Sequence, residues 1–210
     1  RISRSLFLVS SKVEIKIDTA MKYINIDDVN AIDIASEVIQ DGGLIAYPTD
    51  TLYGLGCDAR NKQAIKKVNL IKNRKTPISV IVWSLEVAAS WALISKKEFD
   101  EASAYIKESS TVILPVKDHI VHPSILADDG TLGLRMPHCD FPIALCAKLG
   151  FPITTTSINR TGQPPLSDPK LIKEQFDSEI DLIIDAGIIP NGKASTIYKL
   201  TNSKFSIIRS

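Results

Sequence analysis

A helical stripe that gives way at once to a short apolar run occurs twice in the first third of this chain, and it restricts the fold to helices crossing over between buried strands. Ala31 to Gln40 sets Ala31, Ile34, Ala35, Val38 and Ile39 on one helical face, and Gly42-Gly43 supplies a left-handed stop before the run Leu44 to Ala46. Asn61 to Lys72 repeats the stripe with Ala64, Ile65, Val68 and Ile71, ahead of the β-branched run Ile78 to Trp83. Ser95 with Glu98 forms a capping box before Phe99, Ala102 and Ile106, and Thr111 to Val116 then reads as a strand. Thr131 to Met136 and Pro152 to Thr156 are extended and bracket a short helix, Pro142 to Leu149, stopped by Gly150. Met21 to Ile26 predicts a first strand, Asp168-Pro169 opens a further helix as N-cap and N1, and Asp181 to Asp185, Ser195 to Leu200 and Phe205 to Arg209 predict closing strands. Crossovers followed by consecutive strands predict an α/β fold, a twisted open mixed sheet flanked by helices.

The length of 210 residues, with 44% hydrophobic, supports one core, so residues 21–210 are expected as a single domain and residues 1–20 as a flexible N-terminal extension. A net charge of +1 excludes wholesale wrapping of nucleic acid and leaves only local phosphate binding. No apolar run approaches the roughly 18 to 20 residues that cross a bilayer, so no membrane contact and a cytoplasmic location are expected. Cys57, Cys139 and Cys146 have neither CxxC nor zinc-ligand spacing, which predicts reduced thiols and no metal held by protein; Cys57 reads as a small buried filler.

Two short motifs carry the chemistry. Lys72-Asn73-Arg74 stands at the junction of the second helix with its strand, and residues two apart share a face only on extended chain, so the cations converge only if the helix ends near Lys72. Ser157-Ile158-Asn159 leaves a strand end, where its hydroxyl and amide face the same way. Arg135 in Gly133-Leu134-Arg135-Met136-Pro137 is a cation inside an apolar strand and requires an anionic partner, a protein carboxylate or a ligand. Tyr47 to Gly56 (YPTDTLYGLG) adds hydroxyls and glycines, with Thr49 and Thr51 placed to serve one side of a site and Tyr53 as wall; Ser195-Thr196 starts a late strand. Walker, GxGxxG, HExxH and GxSxG motifs are absent, and His119, His122 and His138 stand beside prolines or in loops. Three of these motifs fall at strand boundaries, so one shared groove is expected.

The ordered set YPTDTLYGLG, Lys72/Arg74, GxRxP around Arg135, Ser157/Asn159, Ser195-Thr196 and Arg209 resembles the YrdC (TsaC-like) family of threonylcarbamoyl-AMP synthases, from about Ile24 to Arg209. The resemblance implies a concave basic groove and the condensation of L-threonine, bicarbonate or CO2 and ATP into threonylcarbamoyl-adenylate and pyrophosphate. A downstream tRNA-modifying transferase would use that product to make threonylcarbamoyladenosine. It implies Lys72, Arg74, Ser157 and Asn159 as catalytic, Thr51, Arg135, Thr155 and Ser195 around threonine, Arg74, Thr131, Ser157 and Arg209 around ATP, and Mg2+ as cofactor with ATP. The chain departs from the family pattern in the short Lys75-Thr76-Pro77 connection, in Glu108-Ser109-Ser110-Thr111 where a WPGP-type turn is usual, in Pro165 where some relatives have an ATP-contacting serine, and in the Ile of Ser-Ile-Asn. Weak binding of tRNA or double-stranded RNA is an expected partner interaction. Two alternatives stay open: the carbamoyl-adenylate chemistry of the related hydrogenase-maturation domain, and a module binding double-stranded RNA without turnover, against which near-neutral charge weighs.

Overall fold

In the computed structural model, residues 21–73, 77–190 and 192–210 are described, and the expectation for residues 1–20 lies outside them. Among the described residues six α-helices, α1 (Ala31–Gln40), α2 (Lys62–Lys72), α3 (Leu85–Trp91), α4 (Lys96–Lys107), α5 (Asp140–Leu149) and α6 (Pro169–Phe176), and a 3-10 turn, Pro123–Ile125, accompany ten strands. The strands are β1 (Lys22–Asn25), β2 (Ile45–Tyr47), β3 (Gly54–Gly56), β4 (Ser79–Ile81), β5 (Thr111–Pro115), β6 (Thr131–Arg135), β7 (Thr154–Ser157), β8 (Leu182–Asp185), β9 (Ile197–Thr201) and β10 (Lys204–Arg209). They form one open sheet in the order β1-β8-β2-β3-β7-β4-β6-β5-β9-β10. Four parallel pairs (β1/β8, β2/β8, β4/β6, β5/β9) and five antiparallel ones join the described strands, so the sheet is mixed as expected.

Local signals set the helix ends. Gly42 takes φ +76 just past α1, and Gly150 takes φ +70 as the C-cap of α5. The Asn61 side chain accepts from the amides of Gln63 and Ala64, Ser95 and Glu98 close a reciprocal capping box on α4, and Asp168 caps α6 ahead of Pro169. Two elements escape the sequence pattern. β3 is Gly-Leu-Gly, a composition depleted in strands, and α3 is a short helix directly behind the apolar run that ends at Trp83, marked only by its N-cap Ser84. The closing strands also separate: β8 lies second in the sheet and β9 ninth, with most of its width between them.

Period-two alternation divides the sheet into two faces. Leu44, Ala46, Val80, Val82 and Ile183 join one core with Val68 of α2, Ile106 of α4 and Phe176 of α6. Ile45, Tyr47, Ile81, Leu182 and Ile184 join a second core with Ile39 of α1 and Leu145 of α5. Farther along, that second face carries Thr155, Ser79, Arg135 and Thr111, linked by the pairings Ser79 with Thr155, Ile81 with Arg135 and Thr111 with Arg135. The polar half of one face is the floor of the candidate site. Among the described residues no helix is long and apolar enough to cross a membrane.

Tyr47 explains the two glycines of β3. Its buried ring lies across that strand: a Cβ on Gly54 would stand 2.9 Å from Cζ, and one on Gly56 2.7 Å from Cε1. Neither glycine is there for backbone freedom. Gly56→Ala should therefore cost about 1–3 kcal/mol through overpacking, lowering the melting temperature by roughly 3–10 °C in calorimetry. Adding Tyr47→Leu should recover part of that loss, and a Gly56→Ala protein that melts with the wild type would refute the steric account.

Candidate active site

Helix α2 ends where convergence requires it. Asn73 follows Lys72 in the left-handed region (φ 46, ψ 44), and the Lys72 side chain turns into the protein, leaving the residue 3% exposed. Its ammonium donates to the Ser157 carbonyl at 2.7 Å and to Asn159 Oδ1 at 2.5 Å. The Ser157 hydroxyl donates to the same Oδ1 at 2.8 Å, so the two side chains of the Ser-Ile-Asn triplet do meet. Asn159 Nδ2 donates to the carbonyls of Arg160 and Gln163, and the Thr161 hydroxyl donates to the Lys72 carbonyl. Lys72 is thus the hub that joins the end of α2 to the end of β7 and the loop after it. Arg74 lies outside the described residues.

Arg135 finds the carboxylate its burial requires. Nη2 donates to Asp50 Oδ1 and to Thr51 Oγ1, both at 2.7 Å. Thr51 Oγ1 lies 3.1 Å from Thr49 Oγ1, but the Thr49 hydroxyl chiefly closes its own turn, donating to the Leu52 carbonyl at 2.7 Å. Across the floor, Thr111 Oγ1 and Ser195 Oγ are 3.0 Å apart, and Arg209 donates through Nη2 to the Ser195 carbonyl at 2.9 Å. Gly133 keeps the floor low, since a Cβ there would stand 2.3 Å from Ser79 Oγ.

Lys72, Ser157, Asn159, Arg135, Thr51, Ser195 and Arg209 line one cavity of about 380 Å³. Its described lining includes Lys72, Arg135 and Arg209 and no carboxylate, so the wall is cationic, with hydroxyls from Thr51, Thr155, Ser157 and Ser195, and Asp50 offsets part of the charge of Arg135. Thr131 does not join it: it opens β6, at the far end of the strand from Arg135, and its hydroxyl donates to Asp129 at 2.6 Å. Ser79 and Thr111 line the cavity although no sequence signal singled them out. Tyr53 is wall, fully buried with its hydroxyl donating to the Gly187 carbonyl at 2.8 Å. Cys57 is filler: it is fully buried, and that burial pushes its thiol up to about 12. None of the three histidines lines the cavity.

Fold and site together define an α/β protein with a cationic, hydroxyl-rich pocket sunk into an open mixed sheet. The chain belongs to the Sua5/YciO/YrdC family, whose model, described as "Telomere recombination", matches residues 37–210. A threonylcarbamoyl-AMP synthase of Idiomarina loihiensis is 34% identical over 154 residues, covering 68% of this chain and 79% of the relative. One of Bacillus subtilis is 29% identical over 167 residues, covering 78% of this chain and 48% of the relative. The crystal structure of Pyrococcus abyssi Sua5 complexed with L-threonine matches with a TM-score of 0.76 at 30% identity, over 85% of this chain and 53% of that one. The chain thus spans about half the length of the last two.

The hydrogen bonds of Lys72 separate its two contributions. Lys72→Met strands the Ser157 carbonyl and should cost about 1–3 kcal/mol, a melting-temperature drop of roughly 3–10 °C. Ser157→Ala removes one hydroxyl bond and should cost about 1 kcal/mol or less. Equal melting temperatures for Lys72→Met and wild type would show that the ammonium carries no structural load.

Proposed function

We propose that this chain is a threonylcarbamoyl-AMP synthase, condensing L-threonine, bicarbonate or CO2 and ATP into threonylcarbamoyl-adenylate and pyrophosphate. The observation that carries the reading is the meeting, in one cavity whose described lining holds no carboxylate, of the Lys72/Ser157/Asn159 cluster with the Arg135/Thr51/Ser195 cluster. The names of the relatives and the threonine bound to Pyrococcus abyssi Sua5 support it.

The chemistry asks for what this wall offers. The threonine amine adds to CO2 and releases a proton, giving a carbamate; a carbamate oxygen then attacks the α-phosphorus in line while pyrophosphate leaves. Two anions must be pressed together, and the repulsion falls when fixed cations flank them in a partly dehydrated pocket. Arg135, Thr51, Thr155 and Ser195 hold the amino-acid end, while Lys72, Ser157 and Asn159, with Arg74 and Arg209, hold the nucleotide. Thr131 is left out of this assignment. Catalysis is then positioning and electrostatics, with no protein nucleophile. Mg2+ would enter on the ATP phosphates and neutralise part of their charge. The product is a mixed anhydride, so a transferase must take it up and pass the threonylcarbamoyl group to tRNA, in the cytoplasm on this reading.

Purified protein given Mg-ATP and bicarbonate should release pyrophosphate only when L-threonine is added, with threonylcarbamoyl-adenylate detected by mass spectrometry. Ser157→Ala should lower that rate about a hundredfold. Release that ignores the amino acid, or none at all, would remove the synthase reading and favour a binding module.

A further inference from the structure

Asp50 has no role in the recognition sets above, yet it holds the cavity's central arginine from behind. Its Oδ1 accepts Arg135 Nη2 at 2.7 Å, and its Oδ2 accepts the hydroxyl of Ser109 in a short contact. The two side chains of the ion pair are 17% and 9% exposed, so the pair is shielded from solvent on most sides.

Two irregularities meet at this carboxylate. Ser109 follows the C-cap Glu108 of α4 with φ +59, a left-handed position that glycine or asparagine normally fills because a serine side chain is strained there. It is 8% exposed, so its hydroxyl has no ready recourse to water. The bond to Asp50 accounts for a serine at this point. The second irregularity is in Arg135, whose Nε is buried without a hydrogen-bond partner among the described residues. A guanidinium free to choose its orientation would not strand a donor. Its plane is dictated instead by Nη2, forked between Asp50 Oδ1 and Thr51 Oγ1.

We infer that Asp50, clamped by Ser109, is a positioning residue that fixes the Arg135 guanidinium in the orientation that receives the amino-acid substrate. The turn after α4 thereby reaches the substrate through a relay from Ser109 to Asp50 to Arg135 without touching it. The inference rests on the reading of Arg135 as the amino-acid anchor. Because Asp50 also offsets the charge of Arg135, the guanidinium selects by geometry more than by net attraction.

The test uses Ser109→Gly, which removes the clamp while relieving the left-handed strain, so the chain should fold with a melting temperature within about 3 °C of wild type. In 15N-edited NMR the Arg135 Nε–H signal, assigned by its loss in Arg135→Lys, should be resolved in wild type and merge with exposed arginines in Ser109→Gly. The KM for L-threonine should rise about tenfold with kcat within about twofold. Asp50→Asn, which keeps an acceptor for Nη2 but cannot accept the Ser109 hydroxyl through its amide nitrogen, should move both readouts the same way. An unmoved Nε–H signal with unchanged KM in both variants would overturn the relay and leave Ser109 as a turn residue. If wild type shows no threonine-dependent turnover the synthase reading falls, and the NMR result alone decides the relay.

Discussion

A charge taken out of water organises this molecule. The ammonium of Lys72, on a residue only 3% exposed, is tolerated because the Ser157 carbonyl and Asn159 Oδ1 are brought to it. That demand fixes where α2 must stop, and the left-handed Asn73 enforces the stop. Since α2 packs on one face of the sheet while the side chains of Ser157 and Thr155 serve the other, the bond also joins the two sides at the strand end. Lys72 is therefore both a source of positive potential in the cavity and the tether of the segment that carries Ser157 and Asn159.

The sheet supplies the second constraint. One face is apolar along the central strands, but the other changes character partway: Ile45, Tyr47, Leu182 and Ile184 meet α1 and α5, and beyond them Ser79, Thr155, Arg135 and Thr111 line the cavity. A buried floor of hydroxyls would be costly if dry and unpaired. Here the hydroxyls pair with one another or with the cations, as Thr111 does with Ser195 and Thr51 with Arg135, and the remaining capacity faces the cavity. Gly133 and the glycines of β3 serve the same end by sparing room, the first for Ser79 and the others for the Tyr47 ring.

Most helices and strands are legible because period, caps and glycine stops all agree there. α3 is not, because seven residues with only the N-cap Ser84 give too short a stripe, and β3 is not, because its glycines answer a tertiary contact with Tyr47 that no local rule encodes. In the site, the Lys72 and Ser157/Asn159 pairs were visible as motifs, and the need of Arg135 for an anion was visible as a buried charge. The identity of that anion was hidden: Asp50 lies 85 residues away and looks like any turn aspartate. Ser109 carries even less signal, since its function depends on a backbone angle. Thr131 shows the converse, a residue implied by resemblance whose hydroxyl is engaged by the neighbouring Asp129.

The segment leading into β9 explains why these distant residues must be assembled together. Most of the sheet's width lies between β8 and β9, and this segment presses Gly192 against the loop of Thr51, so closely that a Cβ there would stand 2.1 Å from the Thr51 carbonyl oxygen. It then delivers Ser195 to Thr111 and, through the β9–β10 hairpin, Arg209 to the Ser195 carbonyl. The defining contacts span 85 residues for Lys72 with Ser157, 85 for Arg135 with Asp50 and 84 for Thr111 with Ser195. Contacts of such separation carry a large loop-closure entropy, met only once the intervening strands have paired. The pocket therefore cannot form ahead of the sheet, and its geometry is as fixed as the strand order beneath it.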